Sequence, residues 1–207
     1  MPILRIKKNK NYTYAIWFIE EELNELLKTL NTTESEYTEI HNITHVNRRK
    51  QNIAARLLVN HLAMKKVKLK YAQNGAPYCT EFKHMSISHS KNYCALIISN
   101  NNIGIDVQYQ KKNISDLQNK FINSDEKLHL NTDNKTDKLH FIWCAKEAIY
   151  KTLNNSNCSL KEDIYILNLQ SNLINSYYKY RAPQCIKYQV EYDKIKNYFI
   201  AIAIQKS

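Results

Sequence analysis

Residues 139–153 read LHFIWCAKEAIYKTL, and the shorter stretch upstream at 103–108 reads IGIDVQ. In the longer stretch Phe141, Ala145, Ala148, Ile149 and Thr152 recur at helical spacing, with Trp143, Lys146, Glu147, Tyr150 and Lys151 around the other side. In the shorter one branched apolar and polar residues alternate with period two, which predicts a strand. The same succession opens the chain. Residues 12–19 (YTYAIWFI) are aromatic and β-branched enough for a buried strand. Residues 47–64 (NRRKQNIAARLLVNHLAM) then place Ile53, Leu57, Leu58 and Leu62 on one helix face.

Working outward, leucines 23, 26, 27 and 30 predict a helix over residues 20–30 that stops at Asn31, Thr32 and Thr33. Asn74-Gly75-Ala76-Pro77 is a turn signal. Strands are predicted at 85–88, 93–99 and 103–107, the last two as a hairpin across Asn100, Asn101 and Asn102. Residues 116–138 are polar and predict a short helix followed by a loop. Further strands are predicted at 164–169, 177–181, 186–192 and 198–204, with a turn at 193–197. The order strand, helix, strands therefore occurs twice and predicts an α+β fold of two similarly built halves, residues 1–100 and 101–207. Each half is a small, mainly antiparallel sheet packed with a long helix. No Pro/Gly/Ser-rich linker separates them, so tight packing with a site in the cleft between the halves is expected.

Composition narrows the chemistry. The 207 residues are 43% hydrophobic, well above a disordered chain, and 30 Lys+Arg against 19 Asp+Glu give a net charge of +11. Such a balance points to an anionic partner: nucleic acid, an anionic membrane, a phosphorylated small molecule or an acidic protein. Abundant Asn, Lys, Ile and Tyr also have the look of AT-rich coding, which accounts for part of the charge. With 2 Gly in the chain, neither a Rossmann nor a Walker phosphate loop can be built. Five cysteines without a C-x-x-C pair, and a start lacking a signal-peptide core, predict a reduced cytoplasmic protein. No apolar run approaches the ~20 residues that span a bilayer, so no membrane partner is expected.

Four clusters could carry chemistry. Ser86-Ile-Ser88-His89-Ser90 offers hydroxyls and an imidazole that can donate to a phosphate, against the plain alternative of a hydroxyl-rich turn. Asp106 and Gln108 share one strand face, where a carboxylate and an amide oxygen suit a hard cation; taken alone, a solvated edge strand is the commoner meaning. Glu147 and Lys151 form an i,i+4 pair, ordinarily a surface ion pair, yet Trp143 one turn earlier suggests a partly buried site. Arg48, Arg49 and Lys50 crowd a helix start, where cations oppose the macrodipole unless an anion lies nearby.

Taken in order, N-G-x-P (74–77), S-I-S-H-S (86–90), G-I-D-V-Q (104–108), a K-F-x-x-x-E-like element ending at Glu126, and W-x-x-K-E-A-x-x-K (143–151) resemble the 4′-phosphopantetheinyl transferases of the surfactin-synthetase-activating type. The resemblance covers about residues 48 to 151. It implies a pseudo-two-fold monomer that binds coenzyme A with Mg²⁺ (Mn²⁺ as an alternative). Such an enzyme transfers the phosphopantetheine arm to a serine of an acidic apo acyl or peptidyl carrier protein, releasing adenosine 3′,5′-bisphosphate. It further implies that Ser88 and His89 bind coenzyme A and that Asp106, Gln108 and Glu147 hold the metal. Lys146 and Lys151 would contact phosphates, Glu147 and Lys151 would be catalytic, and Arg48, Arg49 and Lys50 would lie in the nucleotide-contacting region. Arg56 would be structural. Two positions depart from the family pattern: Gln108 replaces a frequent Glu, and Ala76 a frequent Lys, which predicts weaker metal or coenzyme A binding. A family member that binds without turnover is the main rival. An RNA-binding module is disfavoured, since no strand shows an RNP-like aromatic pattern, and no nucleic-acid partner is expected.

Overall fold

The computed structural model describes residues 3–130, 134–153, 157–170, 173–179 and 185–206. The fold is α+β with antiparallel sheets, and the chain divides into two compact units, Met1–Asn100 and Asn101–Ser207.

The N-terminal unit runs β1 (Ile3–Lys8), β2 (Tyr12–Phe18), α1 (Leu23–Leu30), α2 (Glu34–His41), α3 (Val46–Ala63), β3 (Lys70–Tyr71), β4 (Pro77–Tyr78), β5 (His84–Ser90) and β6 (Tyr93–Ser99). Its main sheet has the order β1-β2-β6-β5. Ala15 and Trp17 of β2 pair across the ladder with Leu96 and Cys94 of β6, and their side chains join Ile53, Leu57 and Leu58 of α3 in one core. α1 ends at Asn31 and α3 at Met64, both left-handed. Gly75, at φ +80, turns the β3–β4 hairpin where a side chain would be strained.

Four elements here lie outside the sequence reading: β1, α2 and the two-residue strands β3 and β4 that flank the predicted 74–77 turn. β1 is an edge strand, exposed along nearly its whole length, so it shows no buried face to read. α2 begins directly after Thr32 and Thr33, the predicted stop of α1: Thr33 accepts from the Glu36 amide while the Glu36 carboxylate accepts from the Thr33 amide. That T-x-x-E capping box was the signal available. Arg56, 4% exposed, ties α3 to α2 through Glu39 at 2.8 Å and Glu36 at 3.7 Å, the structural role the resemblance implied.

The C-terminal unit runs β7 (Ile103–Tyr109), α4 (Ile114–Leu117), two 3₁₀ turns (Gln118–Lys120 and Glu126–Leu130), α5 (Lys135–Tyr150), β8 (Ile164–Gln170), β9 (Leu173–Tyr178), β10 (Ile186–Ile195) and β11 (Tyr198–Gln205). Its sheet has the order β7-β11-β10-β9-β8, and α5 lies across β7 and β11. Leu139, Ile142, Ala145, Ala148 and Ile149 pack on Ile164, Ile174, Val190 and Phe199. The predicted 93–107 hairpin does not form. β6 pairs with β2 and β5 whereas β7 pairs with β11, so Asn100 to Asn102 carry the chain from one sheet to the other. The predicted strand at 177–181 belongs to β9, which ends at Tyr178; residues 180 and 181 lie outside those described. The 193–197 turn is tighter than expected, with Ile195 already paired to Tyr198.

β7 and β11 offer α5 a bed of small residues. Gly104 pairs with Ala203, and Asp106 with Ala201. A β-carbon added at Gly104 would fall on the carbonyl oxygen of Ala148, well inside van der Waals contact. Backbone cannot swing aside as a side-chain tip can, so the helix would have to lift. Gly104→Ala is expected to lower stability by about 1–3 kcal/mol, read by urea denaturation; wild-type stability in that variant would contradict the packing described.

Candidate active site

β7 and α5 carry the acidic residues of the motifs, and their packing sets the geometry. Gly104, Asp106 and Gln108 alternate along the β7 face that meets α5. Asp106 is buried, not the solvated edge residue that a lone D-x-Q suggests. Lys151, at the C-cap of α5, reaches back with its Nζ to donate to Asp106 Oδ1 at 2.7 Å and to the Ile105 carbonyl at 2.9 Å.

Glu147, one turn before Lys151, is half-buried, and among the described residues its carboxylate accepts no hydrogen bond and joins no ion pair. Burial and then the Asp106 charge hold its carboxyl above the usual carboxylate range, opposed by Lys151 and Lys111. Cys144, fully buried one turn further back, has its thiol pushed well above its ordinary value by burial and then by the Asp106 carboxylate. It stays a neutral donor beneath the site.

The donor set suits a hard divalent cation. Asp106 and Glu147 supply carboxylates close enough for the Asp106 charge to raise the cost of ionising Glu147. Gln108, whose amide nitrogen donates to the Tyr109 carbonyl at 3.1 Å, sits next on the same strand face. Among the described residues no group of three or more His, Cys, Asp or Glu side chains forms a metal cluster. Mg²⁺ does not need one, since it is commonly held by one or two carboxylates together with substrate phosphates and waters.

Lys146, which the resemblance places at a phosphate, points into the interior of the unit. It is 0% exposed, and its Nζ donates to Glu126 Oε2 and to the Phe121 carbonyl, both at 2.7 Å. Glu126 in turn accepts from the amides of Asn123 at 3.0 Å and Ile166 at 2.8 Å. The K-F-x-x-x-E-like element and the W-x-x-K-E element are thus two sides of one buried clasp, with Phe121 set edge-on to Trp143 at 5.0 Å. Helical periodicity could not reveal a partner 20 residues away.

In the N-terminal unit the structure brings two predicted residues together and separates two others. Arg48 Nη1 lies 2.8 Å from Nδ1 of His89, an exposed residue of β5, and 3.3 Å from Gln51 Oε1. Gln51 also donates to the Lys91 carbonyl at the β5–β6 turn. Ser88 is buried on the same strand. Arg49 instead donates to the carbonyls of Ile43 at 2.6 Å and His41 at 3.0 Å, at the α2 C-terminus, where a cation is favoured. Lys50 pairs with Glu22 at 3.1 Å.

A basic residue outside every motif was missed. Lys111, just past β7, holds its Nζ 4.9 Å above the Trp143 ring and contributes to the field at Glu147. The Lys111-Lys112 doublet immediately after the D-x-Q strand was its only trace in the sequence.

The C-terminal unit is thus a five-stranded antiparallel sheet under one helix, with a carboxylate pair and cations where they meet. Residues 102–203 match the family model of the 4′-phosphopantetheinyl transferase superfamily, a stretch just under half of the chain and wholly within that unit. No curated protein matches the chain. No helix among the described residues is long and apolar enough to cross a membrane.

The buried clasp yields a stability prediction. Lys146→Met strands the Glu126 carboxylate and is expected to cost about 3–5 kcal/mol, whereas Lys146→Met with Glu126→Gln keeps an acceptor for both amides and recovers most of that loss. Urea denaturation of the two variants checks this; a single variant within ~1 kcal/mol of wild type would refute it.

Proposed function

We propose that the chain is a transferase that moves the 4′-phosphopantetheine arm of coenzyme A to a serine of an acidic apo acyl or peptidyl carrier protein, releasing adenosine 3′,5′-bisphosphate. The observation that carries this reading is Asp106, Glu147 and Lys151 assembled at the β7–α5 contact, inside the stretch that matches the transferase superfamily.

Attack of a serine oxygen on the pyrophosphate phosphorus puts charge on the non-bridging and leaving oxygens, so positioning and cations do most of the work. A Mg²⁺ ion held by Asp106, Glu147 and a Gln108 or water oxygen would supply charge neutralisation at those oxygens. Lys151 adds a fixed cation beside Asp106. Glu147, directly or through a water, takes the serine proton. In the N-terminal unit Arg48 beside His89, with Ser88 on the same strand, takes a phosphate of the nucleotide portion. Arg49, Lys50 and Lys146 are engaged by protein partners and serve as scaffold. The protein acts as a monomer in the cytoplasm, and its basic excess steers the acidic carrier.

Incubation with coenzyme A, Mg²⁺ and an apo carrier protein should add the prosthetic arm, seen by intact mass. Glu147→Gln should keep the thermal transition and lose at least ~10²-fold in rate. Near-normal turnover in that variant would remove Glu147 from the mechanism, and no mass change across several carriers would leave a coenzyme A binder without turnover.

A further inference from the structure

We propose that Lys111 is a further cation of this site and donates to a pyrophosphate oxygen of coenzyme A beside Glu147; the inference rests on the transferase reading above. Lys111 is half-buried, yet its ammonium has neither a hydrogen bond nor an ion pair among the described residues, its contact being the Trp143 ring at 4.9 Å. A lysine held against an indole with its donors unused is poised for an anion, because the ring covers one side of the charge and leaves the N–H groups to be filled. The neighbouring Lys112 is exposed and has no such support.

The placement of Lys111 is fixed from beneath. Its backbone N–H donates to Nε2 of His140 at 2.8 Å, and Nδ1 of that imidazole meets the Thr136 carbonyl at 2.7 Å. A neutral ring with its proton on Nδ1 satisfies both contacts. His140 is 0% exposed and stacks on Phe199 at 4.4 Å and 11°, while Phe121 packs edge-on to Trp143 at 5.0 Å. His140 is therefore a positioning residue, acting through Lys111. The ring beneath the ammonium and the loop that carries it are both anchored to buried aromatic residues.

Charge balance favours a pyrophosphate. Asp106 and Glu147 bring two negative charges, and Lys151 and Lys111 two positive ones. With a divalent cation on the carboxylates the site carries a surplus of two positive charges, which matches the two negative charges of a pyrophosphate diester. Without Lys111 that match is lost.

Calorimetric titration of coenzyme A in the presence of Mg²⁺ tests this on the full chain. Lys111→Met should raise Kd about tenfold, the loss of one charge-assisted hydrogen bond. Lys111→Arg should recover part of it, and Lys112→Met, with the same change in net charge, should stay near wild type. If Lys111→Met binds coenzyme A as wild type does while Lys151→Met is weakened, the role of Lys111 falls and the transferase reading stands. A raised KM for the carrier protein at unchanged coenzyme A affinity would likewise overturn it, moving Lys111 to the carrier. Coenzyme A failing to bind wild type would remove the transferase reading itself.

Discussion

The close approach of α5 to β7 at Gly104 is the constraint on which the candidate site depends. A side chain there would collide with the Ala148 carbonyl, and the adjacent positions on β11, Ala201 and Ala203, are small for the same reason. Asp106 follows Gly104 on the same strand face, while Glu147 precedes Ala148 on the helix. Their carboxylates come within electrostatic reach because the backbones do. Lys151 can bridge back to Asp106 at 2.7 Å only from a helix lying this low on the sheet.

Around that contact the unit fixes α5 at two further places by burying charge or aromatic surface. The Lys146–Glu126 pair ties the middle of the helix to the turn before it and to β8. His140 ties an earlier turn to the segment after β7. Buried polar groups of this kind are costly unless every partner is present. Here each is matched: Lys146 has two acceptors, Glu126 three donors and His140 one contact on each nitrogen. They add little to the chemistry directly, but they hold Glu147 and Trp143 in register with Asp106.

Much of this was legible from residue order. β6 was placed to the residue, and α3 and α5 were found through their apolar spacing. β1 was not, because Leu4 and Ile6 lie exposed at a sheet edge. The 93–107 hairpin failed for a different reason: two adjacent apolar strands with a polar link satisfy the hairpin pattern equally well when each joins a separate sheet. At the site, Asp106, Glu147 and Lys151 were visible as motif residues and do meet. Lys146 read as a phosphate-contacting cation because helical periodicity does not report a buried carboxylate from a distant turn. Arg49 and Lys50 looked alike with Arg48, and only tertiary contacts show that carbonyls and Glu22 engage them.

The central claim is that Asp106 on β7 and Glu147 on α5 act as one cation-binding unit. The most direct measurement is a double-mutant cycle of Mn²⁺ binding in the presence of coenzyme A, followed by electron paramagnetic resonance, with Asp106→Asn, Glu147→Gln and the two combined. If the carboxylates share one ion, each single change removes most of the binding and the double change removes little more. Mn²⁺ affinity unchanged in either single variant, with thermal stability retained, would contradict the account.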